Sequence, residues 1–106
     1  IGNFYTEAEA RQRMDRHGWV MREDAGRGWR RVVPSPEPRE IVEQPAIEAL
    51  LGTGAVVVAA GGGGIPVVRR ADGSLAGVEA VVDKDLASAL LAANLGAEVL
   101  LVLTGV

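Results

Sequence analysis

The first third of the chain alternates short apolar and polar blocks, a pattern that predicts one helix followed by a small pair of strands. Thr6 and Glu9 have the spacing of a capping box, in which each side chain accepts a hydrogen bond from the other residue's backbone amide. We therefore expect a helix that runs to about His17 and stops at Gly18.

Two short runs that follow, Trp19–Arg22 and Trp29–Val33, predict an antiparallel ribbon across a turn at Glu23–Gly28. The aromatic residues of this part are expected to form a small core: Phe4, Tyr5, Trp19 and Trp29. Three prolines then fall within Pro34–Pro38, which makes that stretch extended and semi-rigid. We place a boundary there, so that the first subdomain comprises residues 1–38.

The second subdomain, residues 39–106, has longer apolar runs without alternation. Pro45 suits the first turn of a helix that is expected to reach about Leu51. Two mostly apolar runs, Ala55–Ala60 and Ala97–Leu103, are typical of parallel strands that are covered on both faces.

A hairpin and a helix are predicted between these two strands. Ile65–Arg70 and Leu75–Val82 flank a tight turn, and Asp83–Asp85 open a helix that stops at Gly96. The apolar positions expected on one face of this helix are Leu86, Ala89, Leu90 and Ala93. A strand, a glycine loop, a helix and a second strand together make an α/β unit with a crossover connection.

Composition narrows the classes of function. The 106 residues are 48% hydrophobic and 24% charged, as in ordinary globular chains, and a net charge of -3 gives no basic excess for nucleic acid. With no cysteine and one histidine, the chain excludes a thiolate metal site and an imidazole-rich one. The longest uninterrupted apolar run has the length of a strand, so no membrane span is expected.

Four consecutive glycines, Gly61–Gly64, follow directly on the first predicted parallel strand. Backbone without side chains at the carboxyl end of such a strand lets amide groups approach an anionic ligand. The spacing matches neither a dinucleotide-binding fingerprint nor a Walker loop, and a flexible turn ahead of the hairpin is the alternative. Each glycine costs about 0.5–1 kcal/mol of backbone entropy relative to alanine, which favours a geometric requirement.

Lys84 stands between Asp83 and Asp85 at the predicted helix start and is the only lysine in the chain. Carboxylates at this position cap a helix well, so a capping role alone is one interpretation. A lysine is also a compact charge that can follow a phosphoryl group in transfer, with an adjacent aspartate holding it in place. The pattern alone leaves both interpretations open.

Four stretches together resemble the carbamate kinases of the amino acid kinase family. They are Glu23–Pro36, Gly61–Val67, Gly77–Ser88 and Leu103–Val106, and they occur in the order found in that family. The first and third are specific to carbamate kinases within the wider family. The resemblance runs essentially end to end, and it implies that the chain is an internal fragment covering about the middle third of a complete enzyme.

The resemblance implies a three-layer αβα sandwich of amino acid kinase type, present in part, with a small protruding α+β subdomain. It implies that four glycines lie beside carbamate and the transferred phosphoryl group: Gly61, Gly62, Gly63 and Gly64. Lys84 is the implied stabiliser of that group, and Asp85 is the implied positioner of the catalytic lysines. The start of the nucleotide-binding stretch is implied at Thr104, Gly105 and Val106.

The implied reaction is phosphoryl transfer between ATP and carbamate, or from carbamoyl phosphate to ADP in reverse, with Mg²⁺ as cofactor. Carbamate kinases usually work as cytoplasmic homodimers in arginine metabolism, so the same is implied for the complete protein, with no nucleic-acid or membrane partner. Because the amino-terminal glycine loop and two further lysines of the family's site are absent from these residues, the chain alone is expected to be inactive.

Two other hypotheses remain open on the sequence. Another amino acid kinase, such as acetylglutamate kinase, would have a different acceptor pocket, and the Asp83–Asp85 and Gly26–Arg31 stretches disfavour it. A non-catalytic, self-associating fragment is the alternative from a different class. Two strands that need cover on both faces would then leave apolar surface and open edges.

Overall fold

The computed structural model describes residues 1–105, which divide into two compact units. Unit 1 is Ile1–Pro34, and unit 2 begins at Ser35. The division lies at the start of the proline-rich stretch, whereas the sequence placed the boundary at its end. Residues 32–41 hold no helix or strand.

Unit 1 contains α1, Glu7–His17, whose two ends are those that the sequence predicts. The Thr6 hydroxyl accepts the backbone amide of Glu9 at 3.3 Å, and the Glu9 carboxylate accepts the amide of Thr6 at 3.1 Å. Gly18 ends the helix in the left-handed conformation, with φ of 66°. The capping box and the glycine stop are both confirmed.

The predicted ribbon of unit 1 is confirmed, although its strands are shorter than expected. β1, Met21–Glu23, and β2, Trp29–Arg31, pair in antiparallel register. Tyr5 extends this pairing, because its backbone amide and carbonyl each form a hydrogen bond of 2.8 Å with Trp29. The segment before α1 is thereby fixed to one edge of the ribbon.

The aromatic residues of unit 1 do not form the small core that was expected. Phe4 is 42% exposed, and the buried hydrophobic residues of the described part of the unit are Ala10 and Met21. The rings pack instead against guanidinium groups, with distances to the ring centroid of 4.5 Å for Arg13 over Tyr5, 4.6 Å for Arg31 over Trp19 and 4.6 Å for Arg30 over Phe4. A unit this small cannot enclose four large rings, so arginine side chains cover three of them by cation–π contact.

Unit 2 begins with α2, Gln44–Gly52, which carries Pro45 in its first turn as predicted and buries Ile47. β3, Val67–Arg69, and β4, Leu75–Gly77, pair in antiparallel register and confirm the predicted hairpin. Both strands are shorter than the sequence indicated.

The last helix is α3, Lys84–Leu95, which stops at Gly96 as predicted. Its buried face differs from the expected one, since Ala87 is fully buried. Of the positions expected to be buried together, Leu90 is half-buried, whereas Leu86, Ala89 and Ala93 are exposed. This helix is apolar nearly all round, so its periodicity could not select a face. None of the helices within residues 1–105 has the length and apolarity needed to cross a bilayer.

The prediction of two buried parallel strands is wrong for the described residues. Ala55–Ala60 and the described run 97–103 carry no strand pairing. Val58 is 97% exposed and Leu101 is 77% exposed. A parallel strand needs neighbours that complete its hydrogen bonds and helices that cover its faces, and residues 1–105 supply neither here. The apolar pattern therefore marks surface that requires cover.

Candidate functional site

The glycine loop, Gly61–Gly64, bends through left-handed backbone conformations. The φ angle is 52° at Gly61, 129° at Gly63 and 108° at Gly64, values that residues with a side chain rarely adopt. Ala60 enters the loop with φ of 66° although it carries a Cβ, and its carbonyl accepts the amide of Gly63 at 2.9 Å. The geometric requirement that four glycines indicated is therefore present at three of them.

Gly63 is the one glycine of the loop that is buried, whereas its three neighbours in the loop are exposed. A Cβ built on Gly63 would collide with the backbone carbonyl of Val82 and would lie 3.4 Å from the backbone nitrogen of Lys84. The loop is thus seated directly against the residues that lead into α3.

The start of α3 is held by Asp83. Its carboxylate accepts the backbone amides of Asp85 at 2.8 Å and Leu86 at 3.1 Å, which confirms the predicted cap. The ammonium of Lys84 lies 3.2 Å from the carboxylate of Asp85, and these side chains are 64% and 54% exposed. An ion pair this exposed adds little stability, and it leaves the ammonium group accessible.

The structure therefore brings together two of the three predicted parts of the site, the glycine loop and the pair formed by Lys84 and Asp85. It does not bring in the third part. The hydroxyl of Thr104 donates to the carbonyl of its neighbour Gly105 at 3.5 Å, and no hydrogen bond within residues 1–105 joins either residue to the loop. Val106 lies outside the described residues.

Acidic residues around the site do not form a metal cage. Within residues 1–105 no group of three or more histidine, aspartate or glutamate side chains is placed to hold a metal ion. Asp83 is engaged by two backbone amides, and Asp85 by Lys84.

An open cleft of about 1220 Å³ borders the glycine loop within unit 2. Gly63 and Gly64 line one part of it. Its other walls are formed by residues 36–43, by α2, by residues 57–60 and by the hairpin, with Leu91 from α3. Ligand pockets usually measure about 300–1,000 Å³, so this cleft is large for one small molecule. Lys84 and Asp85 do not line it.

Sequence reasoning missed the contact between Gly63 and Val82. Val82 takes part through its main-chain carbonyl, which no side-chain pattern can report. The run of four glycines was the available signal, but it does not say which glycine is buried.

Comparison with known sequences supports the resemblance noted above. The model of the amino acid kinase family matches residues 6–106. Carbamate kinases of Pyrococcus horikoshii and Staphylococcus haemolyticus are 51% and 56% identical to the chain over all 106 residues. The chain spans 33% and 34% of their lengths, or about a third of each.

Solved structures give the same result for the fold. A carbamate kinase from Giardia lamblia is similar with a TM-score of 0.80 at 52% identity, over 90% of this chain and 31% of that one. A crystal structure from Aeropyrum pernix gives 0.86 at 51% identity, over 92% and 31%. A Giardia lamblia carbamate kinase bound to AMP-PNP gives 0.79 at 51% identity, over 90% and 30%. These likenesses confirm the predicted fold class, a partial αβα sandwich.

Proposed function

The chain belongs to the amino acid kinase family, and from that premise we propose that the complete protein is a carbamate kinase. It transfers a phosphoryl group between ATP and carbamate, and in reverse from carbamoyl phosphate to ADP. Relatives that are 51% and 56% identical are carbamate kinases, which supports this acceptor over that of an acetylglutamate kinase. By the same resemblance, the complete protein is a cytoplasmic homodimer of arginine metabolism.

The observation that carries this proposal is the seating of the glycine loop beside Lys84. In the transfer, the bond between the γ-phosphorus and ADP breaks as a carbamate oxygen bonds to that phosphorus, and the moving group stays negatively charged. Such a reaction needs positioning and charge stabilisation more than covalent chemistry. The ammonium of Lys84 stabilises the moving charge, and Asp85, 3.2 Å away, holds that ammonium in place.

Two backbone features assist the lysine. The exposed glycines of the loop leave room for a phosphate group to approach main-chain amides. The start of α3 carries the positive end of the helix dipole, which favours an anion near Lys84. Both features stabilise negative charge through main-chain groups and not through side chains.

The nucleotide is assigned to a different stretch. Thr104 and Gly105 are exposed, and with Val106 they begin the part of the chain proposed to contact ATP or ADP. The Giardia lamblia relative bound to AMP-PNP supports a nucleotide ligand for this fold.

Mg²⁺ is proposed as the cofactor, and the donor set indicates how it would be held. Magnesium is usually bound by substrate phosphates with one or two carboxylates, and it neutralises phosphate charge. Since no group of three or more possible ligand side chains within residues 1–105 is placed to hold a metal ion, these residues fit a place beside a magnesium–nucleotide complex.

ATP formation from ADP, Mg²⁺ and carbamoyl phosphate tests the proposal, measured on the complete protein and on the 106-residue chain in parallel. We expect activity in the complete protein but not in the 106-residue chain, because the reaction needs further lysines of the family's site. No ATP from a folded complete protein would contradict a carbamate kinase, and phosphorylation of N-acetylglutamate by the same sample would identify the other acceptor. Activity in the 106-residue chain would contradict the expectation that these residues hold only part of the catalytic site.

A further inference from the structure

We propose that Gly63 is a positioning residue that acts on phosphoryl transfer through Lys84 and not by contact with substrate. The inference rests on the proposed function of the loop but assigns one of its glycines a separate task. Gly63 is buried against the polypeptide while the other three glycines of the loop are exposed. Its missing side chain therefore faces the protein.

The contact concerns main-chain atoms on both sides. A Cβ on Gly63 would collide with the carbonyl oxygen of Val82, would lie 2.9 Å from the Val82 carbonyl carbon and 3.4 Å from the Lys84 nitrogen. Backbone atoms cannot rotate away as a flexible side chain does, so an added methyl group must displace the loop or the start of α3. The φ of 129° at Gly63 adds a second reason for glycine, because side chains disfavour that conformation.

Such a displacement changes the separation between the loop and Lys84. The first turn of α3 is held by two hydrogen bonds from backbone amides to Asp83, of 2.8 and 3.1 Å. The carbonyl of Asp83 also accepts the amide of Ala87 at 3.0 Å, which joins this turn to the rest of the 12-residue helix. The loop is held by two backbone hydrogen bonds, of 2.8 Å from Gly61 to Ala59 and of 2.9 Å from Gly63 to Ala60, and three of its four glycines are exposed. We infer that the loop moves, and that the phosphoryl group which it cradles then lies out of register with the lysine.

Gly62 supplies the matched control. A Cβ at Gly62 meets nothing within 4 Å, and its φ lies outside the left-handed range. Gly62→Ala therefore adds the same methyl group to the solvent side of the same loop, without disturbing the contact with Val82.

The decisive experiment is a double-mutant cycle in the complete protein, with kcat for ATP formation measured for wild type, Gly63→Ala, Lys84→Ala and the double variant. We expect Gly63→Ala to lower kcat at least about 30-fold when Lys84 is present, and less than about 3-fold when alanine already stands there. An equal fold-change in both backgrounds overturns the proposal. A loss of folded protein, or of an independent substrate contact, would lower kcat by the same factor whatever residue occupies position 84.

Amide hydrogen exchange gives a readout that does not require activity. We expect Gly63→Ala to speed exchange of the position-63 amide, which donates to Ala60, at least about 10-fold and Gly62→Ala to change it less than about 2-fold, with the capped amides of Asp85 and Leu86 protected in both variants. Equal exchange in both variants and wild type overturns the seating of the loop. If wild type forms no ATP, the proposed function fails while this comparison still decides the contact.

If Gly63→Ala does not fold, an NMR measurement on the wild-type protein tests the contact between Gly63 and the start of α3. A nuclear Overhauser effect between an α-proton of Gly63 and the amide proton of Lys84 supports the contact, and its absence from an assigned spectrum overturns it.

Discussion

The backbone amide of Asp85 donates a hydrogen bond of 2.8 Å to the carboxylate of Asp83, while the carboxylate of Asp85 accepts one of 3.2 Å from Lys84. The two aspartates that flank the lysine therefore have different partners. Asp83 caps α3, and Asp85 orients the ammonium. The structure thus confirms the capping interpretation for Asp83, while the catalytic interpretation is our proposal for Lys84 and Asp85.

Replacing Lys84 tests the charge that the proposed reaction needs. In the complete protein, Lys84→Ala is expected to lower turnover at least about 100-fold, because the moving phosphoryl group loses its stabilising cation. The free energy of unfolding should change little, since the side chain is 64% exposed. Steady-state kinetics and urea unfolding check the two halves of the prediction. Turnover near the wild-type value would leave Lys84 as a bystander of the capping region.

The two aspartates make a matched pair for a second prediction. Asp85→Asn is expected to lower turnover about as much as Lys84→Ala, on the order of 100-fold, with the cap intact. Asp83→Ala removes the acceptor of two amides and is expected to lower the free energy of unfolding by about 0.5–2 kcal/mol. Asp83→Asn, which keeps a capping oxygen, should restore most of that loss. If Asp83→Ala and Asp85→Asn gave the same kinetic and unfolding profiles, the division of roles would be wrong.

The uncovered apolar runs predict that the isolated 106-residue chain associates with itself. Val58 is 97% exposed and Leu103 is 92% exposed, and apolar surface of this kind drives association. Light scattering should give a mass that rises with concentration. The double variant Val58→Lys with Leu103→Lys should reduce this rise. A monomer at all concentrations, with a cooperative thermal transition, would contradict the prediction.

The turn between β3 and β4 should depend on pH. The hydroxyl of Ser74 donates a hydrogen bond of 2.6 Å to the Asp72 carboxylate, and the backbone amide of Ser74 donates one of 2.9 Å to the same carboxylate. These hydrogen bonds hold the pKa of Asp72 below its ordinary value. A lowered pKa in the folded turn means that the stabilisation is fully present above the unfolded pKa, about 3.9, and is lost as the pH falls through the folded pKa.

Chemical shifts of the Ser74 amide, followed by NMR on acidification of the complete protein, check this dependence. The chemical shift of the Ser74 amide should change below about pH 4, where the Asp72 carboxyl takes up its proton. The variant Asp72→Ala should remove that step. A step of equal size in the variant would show that another group causes it.

Local signals in the sequence predicted the helix ends and turns correctly, for a physical reason. The capping box at Thr6 and the cap at Asp83 involve atoms within three residues of each other, so the sequence contains both partners. The two apolar runs failed as strands because a strand requires partners elsewhere in the chain or beyond it. Gly63 was equally beyond reach, since its burial depends on the main chain at Val82.

The proline-rich stretch begins where unit 1 ends along the chain, and it also interrupts the regular hydrogen bonding of the backbone. Pro34, Pro36 and Pro38 have no amide hydrogen, so neither a helix nor a strand ladder can continue from unit 1 into α2. The regular backbone hydrogen bonding of each unit therefore ends at this stretch. Unfolding of the ribbon of β1 and β2 is therefore not passed on through a continuous row of backbone hydrogen bonds to α2 or the glycine loop.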